Sequence, residues 1–182
     1  MIKLNLDGNQ LTLVPTMLGS LTLLRDLSIG RNKLASVQED CLCNLVNLVM
    51  LDLHQNNLRD FSAVPRSDKL DTISLSYNHV VALSNLENAP SLTVLDLHSN
   101  KLCELPESIL NMSRLKTLTV SNNELRDINP RLALLEDLVR INVEGNPLKV
   151  FKPAMRSAGA VELKKYLKMR LGEGEIEEEE VK

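Results

Sequence analysis

The sequence predicts an α/β solenoid of about seven short units, closed at its C-terminal end by a helix. Three observations predict it. One pattern, L-x-x-L-x-L-x-x-N-x-L, recurs around Asn9, Asn32, Asn56, Asn78, Asn100, Asn123 and Asn146, at spacings of 23, 24, 22, 22, 23 and 23 residues. The residues before each asparagine alternate between apolar and polar, the period of a half-buried strand. After Asn146 the pattern stops, and apolar residues recur near helical spacing.

The units follow one another without a gap. The first reads "MIKLNLDGNQL" from Met1, the second "LRDLSIGRNKL" from Leu24, the third "LVMLDLHQNNL" from Leu48 and the fourth "LDTISLSYNHV" from Leu70. Then come "LTVLDLHSNKL" from Leu92, "LKTLTVSNNEL" from Leu115 and "LVRINVEGNPL" from Leu138. In "LDLH" the alternation sends Leu51 and Leu53 to one face and Asp52 and His54 to the other. No unit can bury its apolar face alone, so each needs its neighbours. Each asparagine falls where the chain turns out of the strand. There its amide can bond backbone groups of its own turn and the next.

The second half of a unit carries another phrase, L-x-x-L-P-x-x-I-x-x-L-x-x-L. Leu102, Leu105, Pro106, Ile109, Met112 and Leu115 fit it, as do Leu11, Val14, Pro15, Leu18, Leu21 and Leu24. The 22-residue units differ, as in "VVALSNLENAPSL" from Val80. On these seven units, residues 1 to about 150 resemble the leucine-rich repeat family. The resemblance implies an asparagine ladder and a curved parallel sheet on a concave face. Short helices, 3-10 turns and loops would form the convex face. The 23-residue units look like those of intracellular Ras-scaffold and plant Ras-group proteins, the 22-residue units like a phosphatase-regulator type. That likeness implies a small GTPase or a phosphatase among the partners.

Three segments follow: a solenoid over 1–150, a cap helix over 151–172 and an acidic, disordered tail over 173–182. Ala160, Leu163, Leu167 and Leu171 stand near helical spacing, and Gly172 suits the residue just past a helix end. The cap should run from Ala158 to Leu171, with Leu163 and Leu167 covering the last unit. The tail glutamates could reach Lys164, Lys165, Lys168 and Arg170. At the other end, Ile2, Leu4 and Leu6 fall on an uncapped edge. That edge predicts a fragment of a longer protein, or an end covered by a partner or a second copy.

Composition narrows the function. A net charge of −3, no Trp, two Phe and two Tyr offer nucleic acid neither a basic patch nor stacking platforms. No run of about 18 apolar residues predicts a membrane span. Three cysteines, an odd number, point to a reducing, cytoplasmic setting. Cys41-Leu-Cys43 lacks a second Cys/His pair and reads as core packing for at least one of the two cysteines. No phosphate loop, nucleophile elbow or H-E-x-x-H is present, so neither an enzyme nor a cofactor is predicted. His54 and His98 should point to solvent on one face, two strands and roughly 10 Å apart, too far to share a metal ion. His79 falls on a turn away from them. Ser36 to Glu39 reads as a capping box, and the Asn111 sequon as structural.

What remains is surface. The outward positions of the middle units combine apolar anchors with polar groups: Met50, Asp52, His54, Thr72, Ser74, Tyr77, Val94, Asp96 and His98. Such a mixture suits a protein interface. The sequence therefore predicts a non-catalytic scaffold that binds a protein on its concave face. The alternative is a structural segment of a larger assembly, joined or self-associated through the open N-terminal edge.

Overall fold

The computed structural model describes residues 2–149, 151 and 159–180, with residues 173–180 described by backbone alone. Its nine strands, in chain order, are β1 (Lys3–Asn5), β2 (Asp26–Ser28), β3 (Met50–Asp52), β4 (Asp60–Phe61), β5 (Thr72–Ser74), β6 (Ala82–Leu83), β7 (Val94–Asp96), β8 (Thr117–Thr119) and β9 (Arg140–Asn142). Seven form one parallel sheet in the order β1-β2-β3-β5-β7-β8-β9, and β4 pairs with β6 in a second, two-stranded sheet. Register moves by one repeat unit per strand, so Leu27 faces Leu51, Leu51 faces Ile73 and Ile73 faces Leu95. These central residues point inward and form one continuous core with the convex leucines. Fold class and repeat number agree with the sequence prediction.

The strands of the large sheet are three residues long, backbone bonds to the next unit continue to the residue before each asparagine, and there the chain turns away. Asn56 shows how. Its Nδ2 donates to the carbonyls of Leu53 and His54 in its own turn, and to Ile29 O of the previous unit at 2.9 Å. Its Oδ1 accepts the Leu34 N–H at 3.0 Å. Asn32, Asn78, Asn100, Asn123 and Asn146 repeat the arrangement, and all are buried. Asn9 bonds only Leu6 O and Asp7 O within its own turn, and is exposed. The residue before each asparagine is left-handed: Arg31, Gln55, Tyr77, Ser99 and Asn122 have φ between 53° and 56°, and Gly8 and Gly145 fill the same place in the outer units. A non-glycine residue in this region is strained, and persists where surrounding bonds over-determine it. The ladder supplies those bonds.

The convex side carries five 3-10 turns: η1 (Thr16–Ser20), η2 (Glu39–Cys41), η3 (Leu86–Asn88), η4 (Glu107–Asn111) and η5 (Pro130–Leu134). Pro15 and Pro106 stand just before η1 and η4, where a fixed φ favours entry into the turn. Ser36 and Glu39 do not form a capping box. Glu39 opens η2 behind Gln38, without a side-chain cap. The third unit has no 3-10 turn. Its chain stays extended as β4, and the buried Ser67 hydroxyl bonds Val46 O and Leu48 O. Cys41 is buried against Val14 O, whereas Cys43 and Cys103 are exposed free thiols.

The C-terminal helix α1 (Ala160–Glu180) covers the last unit. Leu163 and Leu167 are fully buried in the core, each worth about 1.5–3 kcal/mol of transfer free energy. Lys164 Nζ donates to Leu135 O at 2.6 Å and Leu138 O at 3.1 Å, satisfying carbonyls at the end of η5. Burial and then Lys168 pull its pKa below the ordinary lysine value, against Glu136 and Asp137. Arg170 forks onto both oxygens of Asp127 at 2.8 and 2.9 Å and lies over the Phe151 ring. Lys164 and Arg170 thus reach the solenoid. The tail's side chains, and Ala158, lie outside the described residues. The helix does not stop at Gly172. That glycine is not left-handed, and Gly172 and Gly174 each cost the helix only about 1 kcal/mol.

The ladder should be worth most where it is buried. Asn78→Ala should cost about 1–3 kcal/mol, through backbone groups left unpaired. Asn9→Ala should stay within about 0.5 kcal/mol, as exposed substitutions do. Chemical denaturation of the two variants checks the difference. The cap should be acid-sensitive. Burial would raise the Asp127 carboxyl, but its hydrogen bond to Arg170, the Ile128 N–H and the Arg170 charge hold it below the usual carboxylate value. A depressed folded pKa gives stability that is present above the unfolded value of about 3.9 and is lost as pH falls through the folded one. Urea denaturation should therefore separate wild type from Asp127→Asn at neutral pH, and the gap should close in acid.

Candidate protein-binding face

Strands β3, β5 and β7 bring the sequence-predicted residues together. Register aligns Met50 with Thr72 and Val94, and Asp52 with Ser74 and Asp96. His54, Ser76 and His98 continue the three rows one outward position further along. The middle row is made of small side chains, and Ser76 is only 7% exposed. Longer side chains stand on both sides of it. Tyr77, held left-handed at φ 56°, ends the middle row with 57% of its surface exposed.

Both aspartates have a structural task that sequence reading missed. Asp52 Oδ1 accepts the His54 N–H, and Asp96 Oδ1 the His98 N–H, each at 3.0 Å. Asn5 and Asn142 do the same for Asp7 and Glu144 in the outer units. The position favours Asp or Asn because an acceptor two residues back closes the backbone where the strand ends. Each aspartate keeps a second oxygen, Oδ2, without a hydrogen bond or ion pair among the described residues.

The histidines do not point freely into solvent. The His54 ring nitrogen Nδ1 lies 2.9 Å from Asp52 Oδ1, and the ring lies across Gly30 of the previous unit. The His98 Nδ1 sits 2.8 Å from Ser121 Oγ and its Nε2 3.0 Å from Ser99 Oγ. Its ring meets Tyr77 edge-on, with centroids 4.9 Å apart. Gly30 and Ser121 are therefore supports the sequence did not identify. The signal was there for Gly30, whose outward column otherwise carries a side chain in every unit.

The hydroxyls, imidazoles and carboxylates of the face do not assemble into one nucleophile–base–acid chain among the described residues. Ser121 and His98 resemble a nucleophile and its base, but Ser121 is buried and the far ring nitrogen meets a hydroxyl, not a carboxylate. Asp52 and His54 form the complementary half of a triad two strands away, with β5 between. Among the described residues no three His, Cys, Asp or Glu side chains converge as metal ligands. A groove of about 610 Å³ lies on the convex side, bordered by Glu39, Asp40, Arg66 and Glu87.

A parallel sheet of single-repeat register, a buried asparagine ladder and a variable outer face define a leucine-rich repeat solenoid. The family model for leucine rich repeats matches residues 2–58 and 90–148, and the chain belongs to that family. It is 31% identical to osteomodulin of Bos taurus over 159 residues, covering 82% of this chain and 36% of that protein. It is 31% identical to keratocan of Gallus gallus over 167 residues, covering 76% and 47%. The chain thus spans between about a third and a half of the length of these relatives. Among solved structures, the functional domain of InlJ from Listeria monocytogenes shares the fold, with a TM-score of 0.67 at 23% identity over 86% of this chain and 32% of that one.

The His54–Gly30 contact gives a test. A Cβ on Gly30 would lie 2.2 Å from the His54 ring, so Gly30→Ala must push the ring off its Asp52 bond. That should cost about 1 kcal/mol, the worth of one hydrogen bond. In a His54→Ala background the loss should vanish, which a double-mutant denaturation cycle measures.

Proposed function

We propose that the chain is a non-catalytic binding module that holds a protein partner on its concave face, around Met50, Asp52, His54, Thr72, Ser74, Tyr77, Val94, Asp96 and His98. The observation that carries this reading is the centre of the sheet. Exposed Tyr77 and half-buried Met50 and Val94 stand there among polar side chains already locked by hydrogen bonds. A face whose side chains are fixed beforehand loses little entropy when it binds. The apolar anchors supply contact area, and the surrounding polar groups select the partner.

The setting proposed is cytoplasmic signalling, with a small GTPase or a phosphatase as partner. The mixture of 23- and 22-residue units supports the partner class, and the exposed thiols of Cys43 and Cys103 suit a reducing compartment. A second reading, a rigid segment of a larger protein, is favoured by the chain's spanning only 36% and 47% of its relatives' lengths.

Affinity capture from a native lysate tests the first reading. Wild type should retain a specific protein that the Met50/Tyr77/Val94 triple alanine variant loses. Equal retention by both would remove the concave face as the binding surface.

A further inference from the structure

The proposed binding face is not uniform, and its centre has the chemistry of a receptor for one side chain. Strand β5 forms the floor of a trough one strand wide, paved by Thr72 and Ser74, with buried Ser76 beyond. The walls repeat each other. Met50 and Asp52 stand on one side, Val94 and Asp96 on the other, level with each other through Thr72 and Ser74. Each wall is apolar at one end and anionic at the next position. No Lys or Arg shares the outward positions of β3, β5 or β7. The carboxylates at the sheet's near end are already engaged. Asp26 pairs with Lys3 at 2.8 Å, and Asp7 accepts the Ser28 hydroxyl and the Gly30 N–H. Asp52 and Asp96 are the only charged residues in their outward column; each is steered by its own backbone bond, and Asp52 Oδ1 also meets the His54 ring, but Oδ2 of each has no partner among the described residues.

We infer that this trough takes an arginine or lysine side chain from the bound partner, with its cationic head between Asp52 and Asp96 and its aliphatic stem along Met50 and Val94. This rests on the concave-face reading and names the chemistry of the partner that face selects. The fit is one of charge and of size. Two strand spacings separate the aspartates by roughly 10 Å at Cα. The two side chains stand side by side on one face, so their carboxylates keep about that separation, and one planar guanidinium bonded on both edges at about 2.8 Å spans roughly 8 Å of it. The small floor makes room for it, because a long side chain on β5 would fill the gap. Tyr77, exposed at the end of the floor, offers a ring face to the chain that carries the cation.

The test uses the whole chain, labelled with nitrogen-15, and the probe peptide acetyl-Gly-Leu-Arg-Leu-Gly-amide at millimolar concentration. Saturating shifts are expected at the amides of Asp52, Ser74, Ser76 and Asp96. The same peptide with citrulline in place of arginine keeps the shape and loses the charge, and should bind about tenfold more weakly. The Asp52→Asn/Asp96→Asn double variant keeps the acceptors that close the strand ends, and should weaken the arginine peptide to a similar extent. No shifts in the trough, equal affinity for the two peptides, or an unchanged double variant would each overturn the inference. Should the double variant lose its thermal midpoint, the two-peptide comparison on wild type decides. The concave-face reading is judged separately by the triple alanine capture. Loss of the captured protein there, with no preference for arginine here, would retire the trough and keep the face.

Discussion

Everything in this molecule depends on the bridge each ladder asparagine makes between two units. Its amide reaches a carbonyl of the preceding unit and its oxygen takes an N–H from the same unit. A side chain so placed must leave the backbone at one point of every repeat, and only a left-handed residue just before it provides that direction. Five non-glycine residues accept the strain. The bond therefore sets the length of the strand, the position of the turn and the step from one unit to the next. It does so by polar satisfaction in a place where a ladder of sheet hydrogen bonds cannot continue.

The outward face follows from that constraint. With three residues per strand and the middle one buried, each unit offers only a few outward positions, and register lines them up across the sheet. Freedom of sequence is concentrated there, since the inward positions must be apolar. In the central units that freedom has gone to small side chains on β5 and matched larger ones on β3 and β7. The hydrogen bonds within strands and between adjacent units then hold these side chains in place.

The convex side obeys a looser rule. It must only close each turn over the core, so 3-10 turns, an extended segment and a two-stranded sheet all serve. The helix α1 closes the final turn by a different route, burying two leucines and placing an ammonium on carbonyls that no further unit covers. Polar groups exposed by the end of a repeating structure are answered there by side chains.

The seven units, the inward leucines and the rungs from Asn32 to Asn146 were legible in the sequence, because repetition imposes the same demand at the same place and leaves a periodic record. The outward face was legible for the same reason: alternation decides which way Met50, Asp52 and Val94 must point. Contacts between units left no such record. Nothing periodic told that His54 would lie across Gly30, that His98 would turn to Ser121, or that Lys164 would reach backbone carbonyls of the last unit. The helix end at Gly172 was misread because glycine marks a stop only where the chain turns left-handed. The extended third unit was hidden because its partner, β6, lies a full repeat away. Sequence by itself determined the period and the direction of each side chain, which are local matters of backbone geometry. Tertiary structure alone decided which side chains meet, since that depends on what the neighbouring repeat presents across the strand spacing.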